Sequence, residues 1–236
     1  AEKLLLPLFM EICGCAYEDE HISIVEIGGK HFKYFIELFN RNAVKKKVLC
    51  ITDKDFKWID FDGDSNLRSY SEYESNEPTH ITDLKKRFPI ENFHICTQSM
   101  GGRTFEDEFF LANIKNEATA TIVFKKAISD TVNEFFDKYG FDLTAWESHI
   151  EEMDRRSRKA VRKFLDAYKS RIDNSPKRIF DYEKLIFAEI FLNYAKDKKG
   201  DIALGILTDK SLMNEDGSSK LVVPRYIQEG LKWLLK

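Results

Sequence analysis

The chain has 236 residues, 37 Lys and Arg against 40 Asp and Glu, and a formal net charge of −3, enough length for one domain, or one domain with a sizeable insertion, around a real core. This balance excludes a protein that coats nucleic acid by bulk electrostatics, so any nucleic-acid contact must be local. No stretch approaches the about 18–20 apolar residues that span a bilayer, and the start "AEKLLLPLFMEICG" is too acidic and interrupted for a signal peptide, so a cytoplasmic protein with no membrane partner is expected.

In chain order, the dense apolar residues from Leu4 to Ile12 predict a buried helix that Gly14 stops. "ISIVEIGG" (Ile22 to Gly29), rich in β-branched residues and ending in a glycine pair, predicts a strand and turn. "KHFKYFIELFNR" follows as a helix with Phe32, Phe35, Ile36 and Phe39 on one face. "KVLCITD" (Lys47 to Asp53) and "NFHICTQ" (Asn92 to Gln98) read as short strands. Strands alternating with helices imply an α/β fold with a small parallel sheet covered on both faces. Thr104, with Asp107 three residues on, predicts an N-cap for a helix over Phe105 to Ile114.

From 117 to 178 the chain becomes long, charged and helix-periodic, with "ATIVF" as its one strand candidate. The division this suggests is a core over 1–116, a mostly helical insertion over 117–178, and a return to the core over 179–236. Ser175 and Pro176 signal a helix start, Gly200 its stop, and Pro224 opens a last helix. Cys13, Cys15, Cys50 and Cys96 read as reduced structural thiols, since no second Cys/His pair with zinc spacing follows Cys13 and Cys15.

The chemistry-bearing candidates begin with Asp53 and Asp55, at the carboxyl end of a parallel strand, where open α/β sheets bind ligands. If strand geometry persists, both carboxylates point to one side, and hard oxygen ligands without His or Cys select Mg²⁺ or Mn²⁺. The other reading is a polar turn. Asp60, Asp62 and Asp64 lack the glycine position and final Glu of a calcium loop and read as a solvated loop. "RRSRKAVRK" (Arg155 to Lys163) puts Arg155, Arg158, Lys159 and Arg162 on one helical face, which either grips a DNA backbone or is a solvated face paired with Glu151, Glu152 and Asp154.

Six segments in order, "AEKLLLPLF", "IVEIGGKHFKYFIELF", "CITDKD", "GRTFEDEFFLAN", "KKGDIALGI" and "VPRYIQEGLKWL", resemble the Toprim nuclease region of OLD-family (overcoming lysogenisation defect) ATP-dependent endonucleases. The resemblance implies a small parallel sheet between helices and a two-metal, Mg²⁺- or Mn²⁺-dependent DNA endonuclease. Its E-G-x-x-E motif is entered part-way: Glu2 corresponds to the second Glu and the first acid would precede Ala1, so the chain is either an excised fragment or short of one ligand. By the same resemblance Asp53 and Asp55 are the D-x-D metal ligands, and Thr104 and Glu106 the [S/T]-x-E element at the second metal. Read from the residues alone, Thr104 is a helix cap and Glu106 a first-turn acid.

Lys199 matches the lysine of K-G-x-x-A that sits by the scissile phosphate, although it also suits the negative end of the preceding helix, and Lys198 is its possible substitute. Catalytic roles thus fall to Glu2, Asp53 and Lys199. The resemblance further implies DNA as substrate, an N-terminal ABC-type ATPase domain of a parent protein, homo-oligomerisation through that domain, and antiphage defence. These residues contain no G-x-x-x-x-G-K-[ST] loop, so ATP is expected to act only through the separate domain. The alternative is a non-catalytic Toprim-like module that binds DNA or protein.

Overall fold

In the computed structural model, the described residues are 2–15, 20–28, 31–39, 46–56, 73, 75–89, 91–172 and 182–236. The acidic loop with Asp60, Asp62 and Asp64, and the helix-start signal at Ser175 and Pro176, lie outside them.

Helix α1 (Glu2–Ile12) buries Leu5, Phe9 and Met10. It ends as its sequence dictates: Gly14 adopts φ 73°, its N–H reaches the Glu11 carbonyl, and the Cys15 N–H reaches that of Met10 at 2.8 Å. This is the paired closure that a left-handed glycine permits. Residues 22–28 carry no strand, contrary to the expectation for "ISIVEIGG". Ile22 and Ile24 pack on the core, but Val25 is 54 % exposed and no described strand offers a ladder to the segment. β-branched residues favour an extended chain; only a paired edge makes it a strand.

Helix α2 (Phe32–Ile36) tightens into a 3-10 turn (Glu37–Phe39) before strand β1 (Val48–Ile51). Helix α3 (Thr79–Arg87) leads to β2 (Phe93–Cys96), which pairs parallel with β1 in the register Cys50 with Ile95 and Ile51 with Cys96. The two faces separate by the pleat. Cys50 and Ile95 meet Ile36, Ile81, Leu84 and Phe88 from α2 and α3 and the turn after α3. Leu49 and Cys96 face the last helix, α11 below. The sheet is therefore parallel and covered on both faces, as expected.

Helices α4 (Phe105–Asn113), α5 (Glu117–Ala127), α6 (Asp130–Tyr139), α7 (Leu143–His149), α8 (Arg155–Ile172), α9 (Tyr182–Ala195), α10 (Lys199–Leu207) and α11 (Arg225–Leu235) complete the order. "ATIVF" lies within α5 and is helical. Its neighbourhood buries Thr119, Ala120, Val123, Phe124 and Ala127, a helical period, and Asn116 caps it by accepting the Thr119 N–H. Gly200 does not stop a helix either: α9 ends at Ala195, Lys198 caps α10, and Gly200 is inside α10.

One aromatic cluster joins these helices. Phe110 of α4 stacks on Phe191 of α9 at 5.1 Å, and Trp146 of α7, fully buried, meets Phe187 of α9 at 5.2 Å. The Trp146 indole N–H is satisfied by the Gly140 carbonyl at 2.8 Å. This rigid cluster fixes α4, which carries the candidate acids. No described helix is long and apolar enough to cross a membrane.

Helix α11 lies so close to the sheet that a Cβ on Gly230 would stand 2.7 Å from Cys96 Sγ and 2.9 Å from Leu49 Cδ1. Gly230→Ala is therefore expected to destabilise the fold by about 1–2 kcal/mol, overpacking outweighing the helix propensity gained. Urea unfolding checks this; a more stable variant would contradict the close packing.

Candidate active site

The carboxyl edge of the sheet organises the site. The Thr52 N–H still bonds the Cys96 carbonyl at 3.1 Å, and beyond it the chains diverge. Asp53 stands two residues past the end of β1, and Gln98 two past the end of β2. The register of the strands brings them together: Gln98 Nε2 donates to Asp53 Oδ1 at 2.9 Å. The same oxygen accepts the Phe105 N–H at 2.9 Å, so Asp53 also satisfies the first turn of α4, whose positive end favours an anion.

Asp55 does not continue the pattern. The strand ends at Ile51, and Asp55 is exposed with φ 56°, its N–H bonded to the Arg103 carbonyl at 2.9 Å. Strand alternation, which was to put Asp53 and Asp55 on one side, is thus broken between them.

In "TFEDEFF" three consecutive acids are buried, at 4 %, 3 % and 0 % exposure for Glu106, Asp107 and Glu108, each with a different task. Asp107 accepts the Arg103 and Thr104 N–H groups at 3.0 and 2.9 Å, with the Thr104 hydroxyl at 3.0 Å, so Thr104 serves the cap expected of it. Glu108 accepts the N–H groups of Ser99, Met100 and Gly102 at 2.8, 2.7 and 2.8 Å, tying the glycine loop down. A Cβ on Gly102 would fall 2.7 Å from Glu108 Oε2, which is why the loop needs glycine there.

Glu106 faces another way. Lys199 Nζ forms an ion pair with its Oε1 at 2.9 Å, and neither carboxylate oxygen accepts a well-aligned hydrogen bond among the described residues. Leu5, Phe109, Ile202 and Ile206 wall the buried Glu106 side of the pair, while Lys199 keeps 37 % side-chain exposure, so solvent screens the attraction in part. Lys199 begins α10, where the helix dipole disfavours a cation; Glu106 accounts for its place, not the end of the preceding helix. Lys198 is exposed, and Lys199 is the one of the two that lies beside Glu106.

The electrostatics join Glu2 to the same place. Burial, then the charges of Glu2 and Glu106, push the Asp53 carboxyl up to about 7, against the opposing Gln98 bond and Lys199 charge. Burial works against the charge of Lys199, but Glu106, Glu2 and Asp53 outweigh it and raise its pKa. Lys199 is therefore a standing cation, not a base. Burial and the nearby Glu108, Asp53 and Glu2 hold the Tyr226 hydroxyl protonated.

Gln98 is the participant that the sequence did not single out. It is 1 % exposed, and its Oε1 accepts the Lys54 N–H at 2.6 Å and the Thr97 hydroxyl at 3.1 Å. Because Oε1 is held by a backbone donor, Nε2 must face Asp53, and beyond it the Tyr226 hydroxyl at 3.4 Å. Lys54 is buried too, its ammonium 4.1 Å from the centre of the Tyr73 ring, whose hydroxyl donates to the Gly102 carbonyl. Lys54, Thr97, Gln98 and Ser99 line a cleft at this edge with Ser75, Asn76 and Glu77. The one available signal was position, two residues past a strand end.

Residues 1–55 match the family model described as overcoming lysogenization defect protein-like, TOPRIM domain. The matched OLD-like Toprim segment runs from α1 through β1 and contains Glu2, Asp53 and Asp55, whereas Thr104, Glu106 and Lys199 lie beyond it. No curated protein and no solved structure matches the chain.

Proposed function

We propose that this chain is the catalytic region of an OLD-type nuclease, a Mg²⁺- or Mn²⁺-dependent endonuclease that nicks or cleaves DNA by phosphodiester hydrolysis. The observation that carries the reading is Glu106, buried at the sheet edge with Lys199 beside one oxygen and no hydrogen bond to the other, and electrostatically coupled with Glu2 to Asp53. A buried carboxylate oxygen without a donor is costly unless something else meets it.

The donor set fits a hard divalent cation: Glu2, Asp53 and Glu106 supply only oxygen, and the family motif adds Asp55 and Thr104 as further ligands. Glu2, Asp53 and Glu106 would hold such a cation, which would supply Lewis-acid activation of the phosphodiester and of the attacking water. The protein's own part is positional and electrostatic. Asp53 is aimed by Phe105 and Gln98, and Lys199 stays charged to neutralise the phosphate as negative charge grows. In the same reading a separate ATPase domain of a parent protein binds ATP and assembles the catalytic regions as a homo-oligomer in antiphage defence.

A second reading, a non-catalytic Toprim-like binding module, is favoured by one observation. Among the described residues no three His, Cys, Asp or Glu side chains are grouped to hold an ion, and Lys199 already compensates Glu106. Supercoiled plasmid separates the two. The nuclease reading expects nicking in Mn²⁺ that is abolished by chelation; intact plasmid across Mg²⁺ and Mn²⁺ concentrations, with DNA or protein binding retained, favours the module.

Gln98 gives a finer test. Gln98→Met keeps the volume but removes the donor to Asp53, and it is expected to weaken Mn²⁺ affinity by about 10–100-fold, as for other groups that orient a metal ligand. Calorimetry on the variant checks it; unchanged affinity would mean that Asp53 needs no orienting partner.

A further inference from the structure

The basic run at Arg155 to Lys163 is absorbed neither by the site nor by the packing. Helix α8 carries eight basic residues and one acid along Arg155–Ile172, in a chain whose formal net charge is −3. At 3.6 residues per turn, Arg155, Arg156, Lys159, Arg162 and Lys163 fall within an arc of roughly 120°. The buried Ser157, Val161, Phe164 and Leu165 occupy the other side.

The neighbouring acids separate a self-neutralised face from a free one. Glu151 pairs with Arg158 and Arg162. Glu152 is taken by Lys138, the Tyr139 hydroxyl and His149. Asp154 caps the helix, accepting the Arg156 and Ser157 N–H groups at 2.8 and 3.1 Å. Arg155, Arg156 and Lys159 are exposed, and no described carboxylate pairs with them. Asp166 is the one acid on the exposed arc, beyond the last of these cations.

The three exposed cations Arg155, Arg156 and Lys159, with which no described carboxylate pairs, fit a polyanion. Among the described side chains of α8, residues 155–166, none is an exposed large hydrophobic, so this stretch lacks the apolar wedge with which amphipathic helices enter a lipid surface. Duplex DNA presents about one negative charge per 1.7 Å and meets such a face through phosphates, without apolar contact. Helix α8 packs on α9, and α9 on α4, the helix that carries Glu106.

We propose that the exposed face of α8, through Arg155, Arg156 and Lys159, grips the phosphate backbone of duplex DNA. The inference rests on the reading of the chain as a DNA-acting protein, and not on its metal chemistry. Fluorescence anisotropy of a labelled 30-base-pair duplex, titrated in EDTA over a range of salt concentrations, tests it with the 236-residue chain. The variants are Arg155→Gln/Arg156→Gln/Lys159→Gln and a control of equal charge loss at exposed lysines elsewhere, Lys86→Gln/Lys196→Gln/Lys232→Gln.

The first triple is expected to flatten the slope of log affinity against log salt by about 2–3 and to lower affinity at 0.1 M salt by roughly 10²–10³-fold. The control should change the slope by less than about 1. Circular dichroism should show both variants folded, since every replaced side chain is exposed. Equal losses in the two triples, or an unchanged slope in the first, would overturn the assignment, as would retained DNA binding with lost binding to phosphatidylserine vesicles. A wild type that binds no duplex at low salt overturns both this inference and the DNA-acting reading. Specific loss of binding in a chain that cuts nothing in Mn²⁺ supports the surface and rejects only the nuclease.

Discussion

Asp53→Asn is expected to lower Mn²⁺-dependent nicking by at least about 10²–10³-fold while leaving the fold intact, as for loss of a preorganised charged group at a reaction centre. The amide keeps an oxygen to accept the Phe105 N–H, so the junction of β1 with α4 survives, and only the charge is lost. Stability should also lose part of its pH dependence. Asp53 is raised from 3.8 to about 7 by burial and by the charges of Glu2 and Glu106. Between those values the folded chain holds a proton that the unfolded chain has released, so stability present at low pH is lost as pH rises through about 7. In wild type without metal, urea unfolding should therefore show this contribution to stability smaller at pH 8 than at pH 5.5; in Asp53→Asn that contribution vanishes. Mn²⁺ requires the ionised carboxylate, so its affinity should rise across the same window and level off above it. Full nicking by the purified Asn variant would remove Asp53 from the chemistry.

Lys199→Met is expected to cost about 2–3 kcal/mol of stability. Breaking a buried pair and leaving one charge behind costs about 3–5 kcal/mol, and the lower figure allows for solvent at Lys199, whose side chain is 37 % exposed. The charge left behind is Glu106, at 5 % side-chain exposure. Two consequences distinguish this from ordinary packing loss. Adding Glu106→Gln should restore most of the stability, because neither member of the pair is then left as an unpaired buried charge, yet nicking should stay absent. Mn²⁺ should also raise the thermal midpoint of Lys199→Met by more than that of wild type, since a bound cation takes over the compensation of Glu106. A Lys199→Met protein as stable as wild type, or one that Mn²⁺ does not stabilise, would show that the pair is a surface ion pair.

The parts of this site that were legible in the sequence share a local cause. An apolar run ending in acid marked the end of β1 and Asp53, and Thr104 with Asp107 marked the start of α4. The condition that strand geometry persist as far as Asp55 fails, because β1 ends at Ile51 and Asp55 turns through a positive φ. Gly200 reads as a stop, but α9 and α10 abut with only three residues between them and the glycine falls in the first turn of α10. "ISIVEIGG" shows the limit from the other side, because strand composition does not supply a neighbouring edge.

Gln98 was out of reach for a different reason. An amide carries no motif, and its role exists only because the register of two strands 45 residues apart sets it against Asp53. The three buried acids of α4 were equally opaque as a group. Their sequence is one charged patch, and only the packing divides it into a loop anchor, a helix cap and the partner of Lys199.

In the proposed reading the carboxyl edge holds a divalent cation on Asp53 and Glu106. Calorimetric titration of Mn²⁺ into the wild-type chain at pH 8, beside Asp53→Asn and Glu106→Gln, decides whether it does. Saturable binding in wild type that is lost or weakened by at least about tenfold in each variant is the expected result, one ligand charge being worth at least that much. No binding in wild type, or the same isotherm in all three proteins, would contradict it.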